Sequence, residues 1–268
     1  MHKIFHFHLT IAIIILISLP LWAQPKRAFI WFDDEDYQPL IYRDSKGRTE
    51  GIFYDVLTEA FKRMQIPLQN RLYPWSRTQE MVQNGDADGM VTIFTKTRQK
   101  FFKATDPIVT VEERLFLNKN NPKAKQILHT KSVKNLKYFT IVETTSSGWS
   151  KENLKKMHII WVPTAESALN MIASGRADIY LMSNYSGPIF IKKQIQKETP
   201  LSKSLKEVIM GNHAFATMKY RLLIRKNSPY VNIINQFNET LRQMQKDGTY
   251  KKIMERYKIK MTYDSEKH

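Results

Sequence analysis

The chain has 268 residues, with 42 Lys and Arg against 25 Asp and Glu, a formal net charge of +17 and no cysteine. Without cysteine it can form no disulfide and can carry no lipid on a processed N-terminal cysteine. The positive charge is spread along the sequence without the motifs of nucleic-acid-binding folds. It therefore predicts solvated helix faces and no nucleic-acid partner.

The first 23 residues have the order of a secretory signal. Lys3 comes first, an apolar run follows, and Ala23 stands just before Gln24. The apolar run is interrupted by Pro20 and is short for a membrane span. We expect residues 1–23 to be a signal peptide that is cleaved near Ala23, and a mature protein in the periplasm. An uncleaved membrane anchor is the alternative.

After this segment, short β-type runs alternate with amphipathic helical segments. The predicted strands lie at 28–32, 90–94, 138–142, 158–162, 177–182 and 221–225. The predicted helices lie at 51–64, 75–84, 95–103, from about 146, 164–174, 229–246 and 249–257. Such alternation predicts an α/β architecture with mixed, mainly parallel sheets.

One stretch occurs twice. The sequence MVQNGDADGMV is echoed 90 residues later by MIASGRADIYL. Gly85 and Gly175 are typical of the left-handed residue that ends a helix, and an apolar strand follows each. Asp88 and Asp178 fit turn or cap residues better than catalytic acids. The echo favours two lobes of similar construction.

Motifs for catalysis are missing from the sequence. There is no nucleophile elbow, no paired-histidine zinc motif and no glycine-rich phosphate loop. The acidic run at 33–36 is interpreted as a solvated loop. We therefore expect no catalytic residue, no metal and no cofactor.

Two turns from strand to helix are candidate anion sites. Thr95 can cap a helix, which leaves Arg98 and free backbone N–H groups facing an anion. An arginine there offers a planar fork that matches a carboxylate. Thr145 and Ser146 stand at a similar turn further along. Simple helix capping is the alternative for each turn, whereas the pair suggests closure on one ligand from opposite sides.

Four motifs in order resemble a known family. They are DYQPLIY at 36–42, YPWSRTQEMVQNGDADG at 73–89, TKTRQKFFKATDPI at 95–108 and NQFNETLRQMQKDGTYKKIMERY at 235–257. They are similar to the motifs of the extracytoplasmic solute-binding proteins of family 3, the polar amino-acid type. The resemblance covers nearly the whole chain after the signal segment.

This resemblance implies a two-lobed α/β protein with the type II fold of periplasmic binding proteins and a two-stranded hinge. The first lobe would contain residues 24–117 and 212–268, and the second lobe residues 118–211. The lobes would close over a small solute.

The resemblance also assigns roles to residues. Arg98 matches the arginine that pairs with a ligand carboxylate in the family. Tyr37 matches an aromatic residue of the pocket, and Trp75 and Arg77 match a segment that borders the cleft. Together with the turn residues, the predicted ligand-binding set is Tyr37, Trp75, Arg77, Thr95, Arg98, Thr145, Ser146 and Ser183.

Ser183 departs from the family pattern. Amino-acid binders carry an acid there for the α-amino group, and neither Ser183 nor Asn184 supplies a charge. A buried ammonium without a counter-charge is costly. Either the ligand lacks a free α-amino group, or another acid, such as Asp33, Asp34 or Asp36, substitutes.

The resemblance implies a periplasmic protein that captures a small carboxylate-bearing, amino-acid-like solute and delivers it to an ABC-type permease, with the binding protein as a monomer. Two alternatives stay open. One is an enzyme on the same scaffold, similar to cyclohexadienyl dehydratases, and the other is a sensory or partner-binding protein outside transport.

Overall fold

The computed structural model of the chain describes residues 27–259. The predicted signal peptide and its cleavage site lie outside the described residues. Within residues 27–259, none of the helices combines the length and the apolar character needed to cross a membrane.

Strands and helices alternate along the described chain. The strands are β1 Phe29–Asp34, β2 Asp36–Tyr37, β3 Ile41–Arg43, β4 Thr49–Glu50, β5 Leu68–Tyr73, β6 Gly89–Ile93, β7 Phe102–Asn118, β8 Ile141–Thr144, β9 Ile159–Val162, β10 Ile179–Ser183 and β11 Val208–Arg225. The helices are α1 Ile52–Arg63, α2 Trp75–Asn84, α3 Ala124–His129, α4 Gly148–Asn153, α5 Ala165–Ala173, α6 Ser186–Ile195, α7 Ser202–Leu205, α8 Ile234–Lys246 and α9 Thr249–Arg256. Short 3-10 helices lie at Arg98–Lys100, Val133–Tyr138 and Val231–Ile233.

Eight strands form one mixed sheet in the order β5-β1-β6-β11-β7-β10-β8-β9. The pairs β5–β1, β1–β6, β10–β8 and β8–β9 are parallel, and the pairs that involve β7 or β11 are antiparallel. β2, β3 and β4 form a small second sheet. The predicted α/β class with mixed, mainly parallel strands is confirmed.

β7 and β11 form a long antiparallel ribbon in the middle of this sheet. Phe102 pairs with Arg225 at one end and Asn118 with Val208 at the other. The register shifts twice between Met210 and Ala216 and twice more between Tyr220 and Leu223. Because such irregularities bend a strand pair, the ribbon has a natural place to flex between the two halves of the sheet.

The apolar core is divided on either side of this ribbon. One large cluster gathers around α1, whose apolar stripe at 52, 53, 56, 57, 60 and 61 is buried against β1 and α8. Two other clusters pack α5, β8 and β10. We call the part around the α1 cluster the first lobe, and the part around the other two clusters the second lobe. The lobe boundaries at 117/118 and 211/212 stay a prediction.

The repeated stretch has the same structure in both lobes. Gly85 and Gly175 have positive φ angles of 110° and 73°, as their position after a helix predicts. The carboxylate of Asp88 accepts the backbone N–H of Ile30 at 2.8 Å, and that of Asp178 accepts the N–H of Thr140 at 2.9 Å. Both aspartates therefore fasten the start of a neighbouring strand, which agrees with a structural role.

The prediction of a helix at 95–103 is wrong. Only Arg98–Lys100 form a 3-10 turn, and β7 begins at Phe102. Phe102 is buried and pairs with Arg225, so the distant strand β11 draws this segment into the sheet. The strand predicted at 138–142 begins at Ile141, because Val133–Tyr138 is helical.

Candidate functional site: the cleft between the lobes

A cleft of about 510 Å³ lies between the two lobes. Its wall includes the ends of β1 and β6 in the first lobe and the ends of β8 and β10 in the second. The carboxyl ends of parallel strands are the usual position of ligand sites in α/β sheets. The connecting turns therefore bring polar groups from both lobes to one place.

Arg98 lies in this cleft, in the turn after β6. Its side chain is buried, with Nη1 donating to the carbonyl oxygen of Ile93 at 3.0 Å and Nη2 to Oε1 of Gln79 at 2.5 Å. The guanidinium lies 5.6 Å from the centre of the Trp75 ring. Burial lowers the pKa of Arg98 to about 10, against the electrostatic influence of Tyr220 and Glu152.

No ion pair within residues 27–259 includes Arg98. Its acceptors are neutral and use two of the five N–H donors of a guanidinium. The remaining N–H donors are available to an anion, so the site can bind a carboxylate or a similar anionic group.

Aromatic side chains line the cleft beside Arg98. The hydroxyls of Tyr37 and Tyr220 lie 2.7 Å apart in a hydrogen bond, and both rings belong to the cleft wall with Trp75. Burial raises the pKa of Tyr37 well above its ordinary value. Tyr220 comes from β11 and was not predicted. It holds Tyr37 in place.

The turn before α4 contributes Ser146, Ser147 and Gly148 to the cleft. Ser147 caps α4, its Oγ accepting the backbone N–H of Ser150 at 3.3 Å. A Cβ built on Gly148 would lie 3.4 Å from Nη2 of Arg98, so this turn of the second lobe lies directly against the guanidinium.

Three residues of the predicted set lie outside the cleft wall. Thr145 is exposed and faces a separate surface depression with Trp161. Arg77 is exposed, its guanidinium 5.0 Å from the centre of the Tyr73 ring. Thr95 is buried and its hydroxyl accepts the backbone N–H of Arg98 at 3.3 Å, so it shapes the turn.

Ser183 lines the cleft but has local partners. Its hydroxyl accepts the backbone N–H groups of Tyr185 at 3.2 Å and of Ser186 at 3.4 Å. It therefore stabilises the start of α6.

The backbone N–H groups that were predicted to bind a ligand anion bind a carboxylate of the chain itself. Glu152, on α4 of the second lobe, accepts from the N–H of Lys96 at 3.1 Å, the N–H of Thr97 at 2.9 Å and the Thr97 hydroxyl at 3.0 Å. Slight burial acts to raise the pKa of Glu152, but these donors outweigh it and lower the pKa. The prediction of a ligand at these N–H groups is therefore corrected, whereas the Arg98 fork is separate from them.

Two further contacts join the lobes across the cleft. Nζ of Lys193 on α6 lies 2.6 Å from Oδ1 of Asp36, and Nε2 of Gln79 donates to the carbonyl oxygen of Ser146 at 3.4 Å. The structure therefore shows the two lobes in contact around the cleft.

Sequence reasoning missed two buried acids of the cleft wall, Glu113 on β7 and Glu143 on β8. Burial raises the pKa of Glu113 to about 8. Burial, and then the charge of Glu113, raise the pKa of Glu143 well above its ordinary value, against smaller opposing effects of Ser150 and of two backbone N–H groups. The signal in the sequence was a glutamate directly after the apolar strand residues at 141 and 142.

The acidic run at 33–36 is only partly solvated. Asp33 is buried, and its carboxylate accepts from Nε1 of Trp31 at 2.8 Å and from the N–H of Val91 at 3.0 Å. Burial still raises its pKa, to about 7. Since its oxygens are already bonded within the first lobe, Asp33 is a structural residue. The prediction of a solvated loop is wrong for this position.

The chain matches the family model of the bacterial extracellular solute-binding proteins, family 3, over residues 30–260. The chain belongs to this family. It is 24% identical over 226 residues to the probable amino-acid-binding protein YxeM of Bacillus subtilis (strain 168), covering 82% of this chain and 79% of that protein. It is 21% identical over 248 residues to a probable histidine-binding protein of Neisseria gonorrhoeae, covering 88% and 84% of the two chains.

Solved structures confirm the fold of this solute-binding protein. The arginine-, lysine-, histidine-binding protein ArtJ from Geobacillus stearothermophilus superposes with a TM-score of 0.70 at 17% identity, covering 89% of this chain and 98% of that chain. The predicted two-lobed fold of periplasmic binding proteins is confirmed.

Proposed function

We propose that this protein captures a small, amino-acid-like solute through its carboxylate and delivers it to an ABC-type permease. The observation that supports this proposal is the buried guanidinium of Arg98, which has only neutral acceptors within residues 27–259. A buried charge is costly unless it is paired. A ligand carboxylate would supply the missing charge.

The surroundings of Arg98 suit a ligand of this size. Trp75 and Tyr37 offer apolar faces, Ser146 and Ser147 offer polar groups from the opposite lobe, and the cleft holds about 510 Å³. Binding pockets of small molecules combine such a mostly apolar lining with a few well-placed polar groups. Both walls of the cleft come from one chain, so the site needs no second subunit.

Calorimetric titration with pairs of probes tests this proposal. The twenty L-amino acids are compared with the amines that lack their carboxylate, such as L-arginine with agmatine. We expect at least one amino acid to bind and its amine to bind more than about 30-fold more weakly, the loss that follows when a buried charge pair is broken. Equal binding of both members of the pair would contradict the proposal.

Export is part of the same proposal, because a permease-linked binding protein works outside the cytoplasmic membrane. The predicted signal at 1–23 motivates it and lies outside the described residues. N-terminal sequencing of protein released from the periplasm should begin at or near Gln24. A full-length product that stays in the membrane fraction would remove the periplasmic assignment.

An enzyme on the same scaffold is the second candidate, and the pair Glu113 and Glu143 favours it. A carboxyl group whose pKa is raised by burial can serve as a general acid. No histidine within the described chain lines the cleft to act with it. Incubation with cyclohexadienyl acids, followed by mass spectrometry, separates the two candidates: turnover that is lost in Glu143→Gln would establish the enzyme.

A further inference from the structure

We infer that the solute of this protein carries a cationic group, which Glu113 and Glu143 hold inside the cleft. The inference rests on the proposed function and adds to it the charge that the solute bears beside its carboxylate. It is carried by the position of the two acids, by the pairing of nearby cations with other groups, and by two buried polar atoms that have no hydrogen-bond partner within residues 27–259.

Glu113 takes the place of an acid that the family pattern puts at Ser183. The two residues are direct partners in the antiparallel pair of β7 and β10. Side chains of directly opposite residues project from the same face of a sheet and lie about 5 Å apart at Cβ. The charge that is missing at position 183 is thus supplied from the neighbouring strand.

The cations of the cleft wall do not neutralise these acids. Within the described chain, the wall contains Arg98, Lys193 and Lys197 as its Lys and Arg residues. Lys193 lies 2.6 Å from Asp36, Lys197 lies 2.8 Å from Glu166, and Arg98 donates to neutral oxygens. Each cation thus has other partners, and the described residues show no ion pair to Glu113 or Glu143.

Two buried atoms of the same wall are without a hydrogen-bond partner among the described residues. They are Oε1 of Glu143, on a side chain 3% exposed, and Oγ of Ser186, on a residue 5% exposed. Buried polar atoms are nearly always bonded, so unsatisfied ones need an explanation. An ammonium, guanidinium or imidazolium group carries two or more N–H donors and would supply a partner to such an oxygen.

Two buried acids without a cation also destabilise the fold, because burial disfavours the ionised form of each and the charge of Glu113 adds to this effect at Glu143. Acidic groups perturbed in this way cluster at functional sites. A bound cation favours the ionised form of a carboxyl group, so it would offset the effect of burial on both acids.

The test uses three probes that share one shape and differ in charge. L-arginine has an α-ammonium and a guanidinium, L-citrulline keeps only the α-ammonium, and 5-guanidinopentanoate keeps only the guanidinium. Calorimetry with the wild type, Glu113→Gln and Glu143→Gln gives the affinities. Glu112→Gln is the control, because Glu112 is next in the chain but pairs with Arg114. If arginine does not bind, the α-ammonium is tested in the same way with L-histidine and 3-(imidazol-4-yl)propanoate, or with the tightest amino acid and its des-amino acid.

We expect L-arginine, or the amino acid that replaces it, to bind the wild type. Its affinity should fall by about 30-fold or more in Glu113→Gln or Glu143→Gln. Glu112→Gln should stay within about threefold, since its charge is partly solvated and paired elsewhere. One of the other two probes lacks the cation that the glutamates bind: L-citrulline lacks the guanidinium, and 5-guanidinopentanoate lacks the α-ammonium. The affinity of that probe should not change in the glutamine variants. This pattern tells whether the α-ammonium or the side chain supplies the cation.

Two results would overturn the inference, and they differ in meaning. If a probe binds, loses affinity in Arg98→Ala and is unchanged in both glutamine variants, the cation site is wrong while the proposed function stands. If purely anionic probes such as hexanoate bind as tightly as the amino acid, the cation requirement is wrong. Failure of every carboxylate probe to bind would instead contradict the proposed function.

Discussion

Three cationic residues in the turn after β6 carry the same charge but differ in surroundings. Arg98 is buried in the cleft, whereas Lys96 and Lys100 are exposed. Exposed charges are screened by salt within about 8–10 Å, so they contribute little to a specific contact. A buried guanidinium with free donors contributes much more.

Arg98→Ala should therefore weaken binding of the best amino-acid probe by about 30-fold to several thousand-fold. Arg98→Lys should recover little of this, because an ammonium cannot reproduce the planar fork. Lys96→Ala and Lys100→Ala remove the same charge and should change affinity by less than about tenfold. Calorimetry measures all four variants, and equal, salt-sensitive losses in the alanine variants would mean diffuse attraction to a basic surface.

Glu113 should make stability depend on pH. Its pKa is raised from 4.5 to about 8, so the folded protein keeps this proton over a range where the unfolded chain has lost it. The free energy of unfolding then falls as the pH rises from about 4.5 to about 8. The groups whose titration is coupled to Glu113 are Glu143, Tyr37, Tyr180 and Tyr220.

Without solute, Glu113→Gln should be more stable than the wild type at pH 8 by about 1–3 kcal/mol and nearly equal to it at pH 4.5. Urea unfolding at a series of pH values measures the difference, and Glu112→Gln is the matched control. A difference that does not grow with pH would show that Glu113 titrates normally in the folded protein.

At the scale of elements, α4 of the second lobe is fastened to the turn before β7 of the first. Glu152 accepts three hydrogen bonds there, from Lys96 and Thr97. Charged hydrogen bonds of this kind are stronger than neutral ones. This contact stabilises the arrangement in which the lobes meet, and it uses no atom of a solute.

Glu152→Gln should therefore favour an open arrangement and weaken solute binding by about 5- to 30-fold, or about 1–2 kcal/mol. Single-molecule distance measurements between labels on the two lobes would report the open fraction. Glu207→Gln is the control. Glu207 forms an ion pair with Lys119 at 2.9 Å, and neither residue belongs to the cleft wall. If both variants behave like the wild type, the Glu152 contact does not hold the lobes together.

At the scale of the whole molecule, the bend in the β7–β11 ribbon suggests hinge closure. The lobes have separate apolar cores, and the ribbon between them is interrupted by register shifts near Met210 and Ala214. Rigid lobes joined by a short irregular segment can rotate with little loss of packing. Closure would bring Ser146 and Glu143 of one lobe towards Arg98 of the other.

Small-angle X-ray scattering with and without a saturating amino-acid probe should show a smaller radius of gyration in the bound protein, by about 1 Å or less as hinge closure implies. A neutral probe that does not bind is the control. An unchanged profile at saturation would mean that the lobes do not move on binding.

The sequence by itself determined the repeating elements, the family and the arginine of the cleft. These depend on local information: the 3.6-residue period of α1, the glycines at 85 and 175, and a turn motif around Arg98. Each can be interpreted within a window of about 10–20 residues, which is the range over which such patterns act. The repeated aspartates were also interpreted correctly as structural.

Only the tertiary structure decided which side chains share the cleft. Strand pairing sets Glu113 opposite Ser183, and β11 brings Tyr220 to Tyr37. The same long-range pairing turned the segment after Arg98 into a strand instead of a helix. Burial and register depend on residues far apart in the chain, and a slip of one position would move a side chain to the other face of the sheet. A glutamate therefore becomes a buried acid in a cleft only when its neighbouring strands are in place.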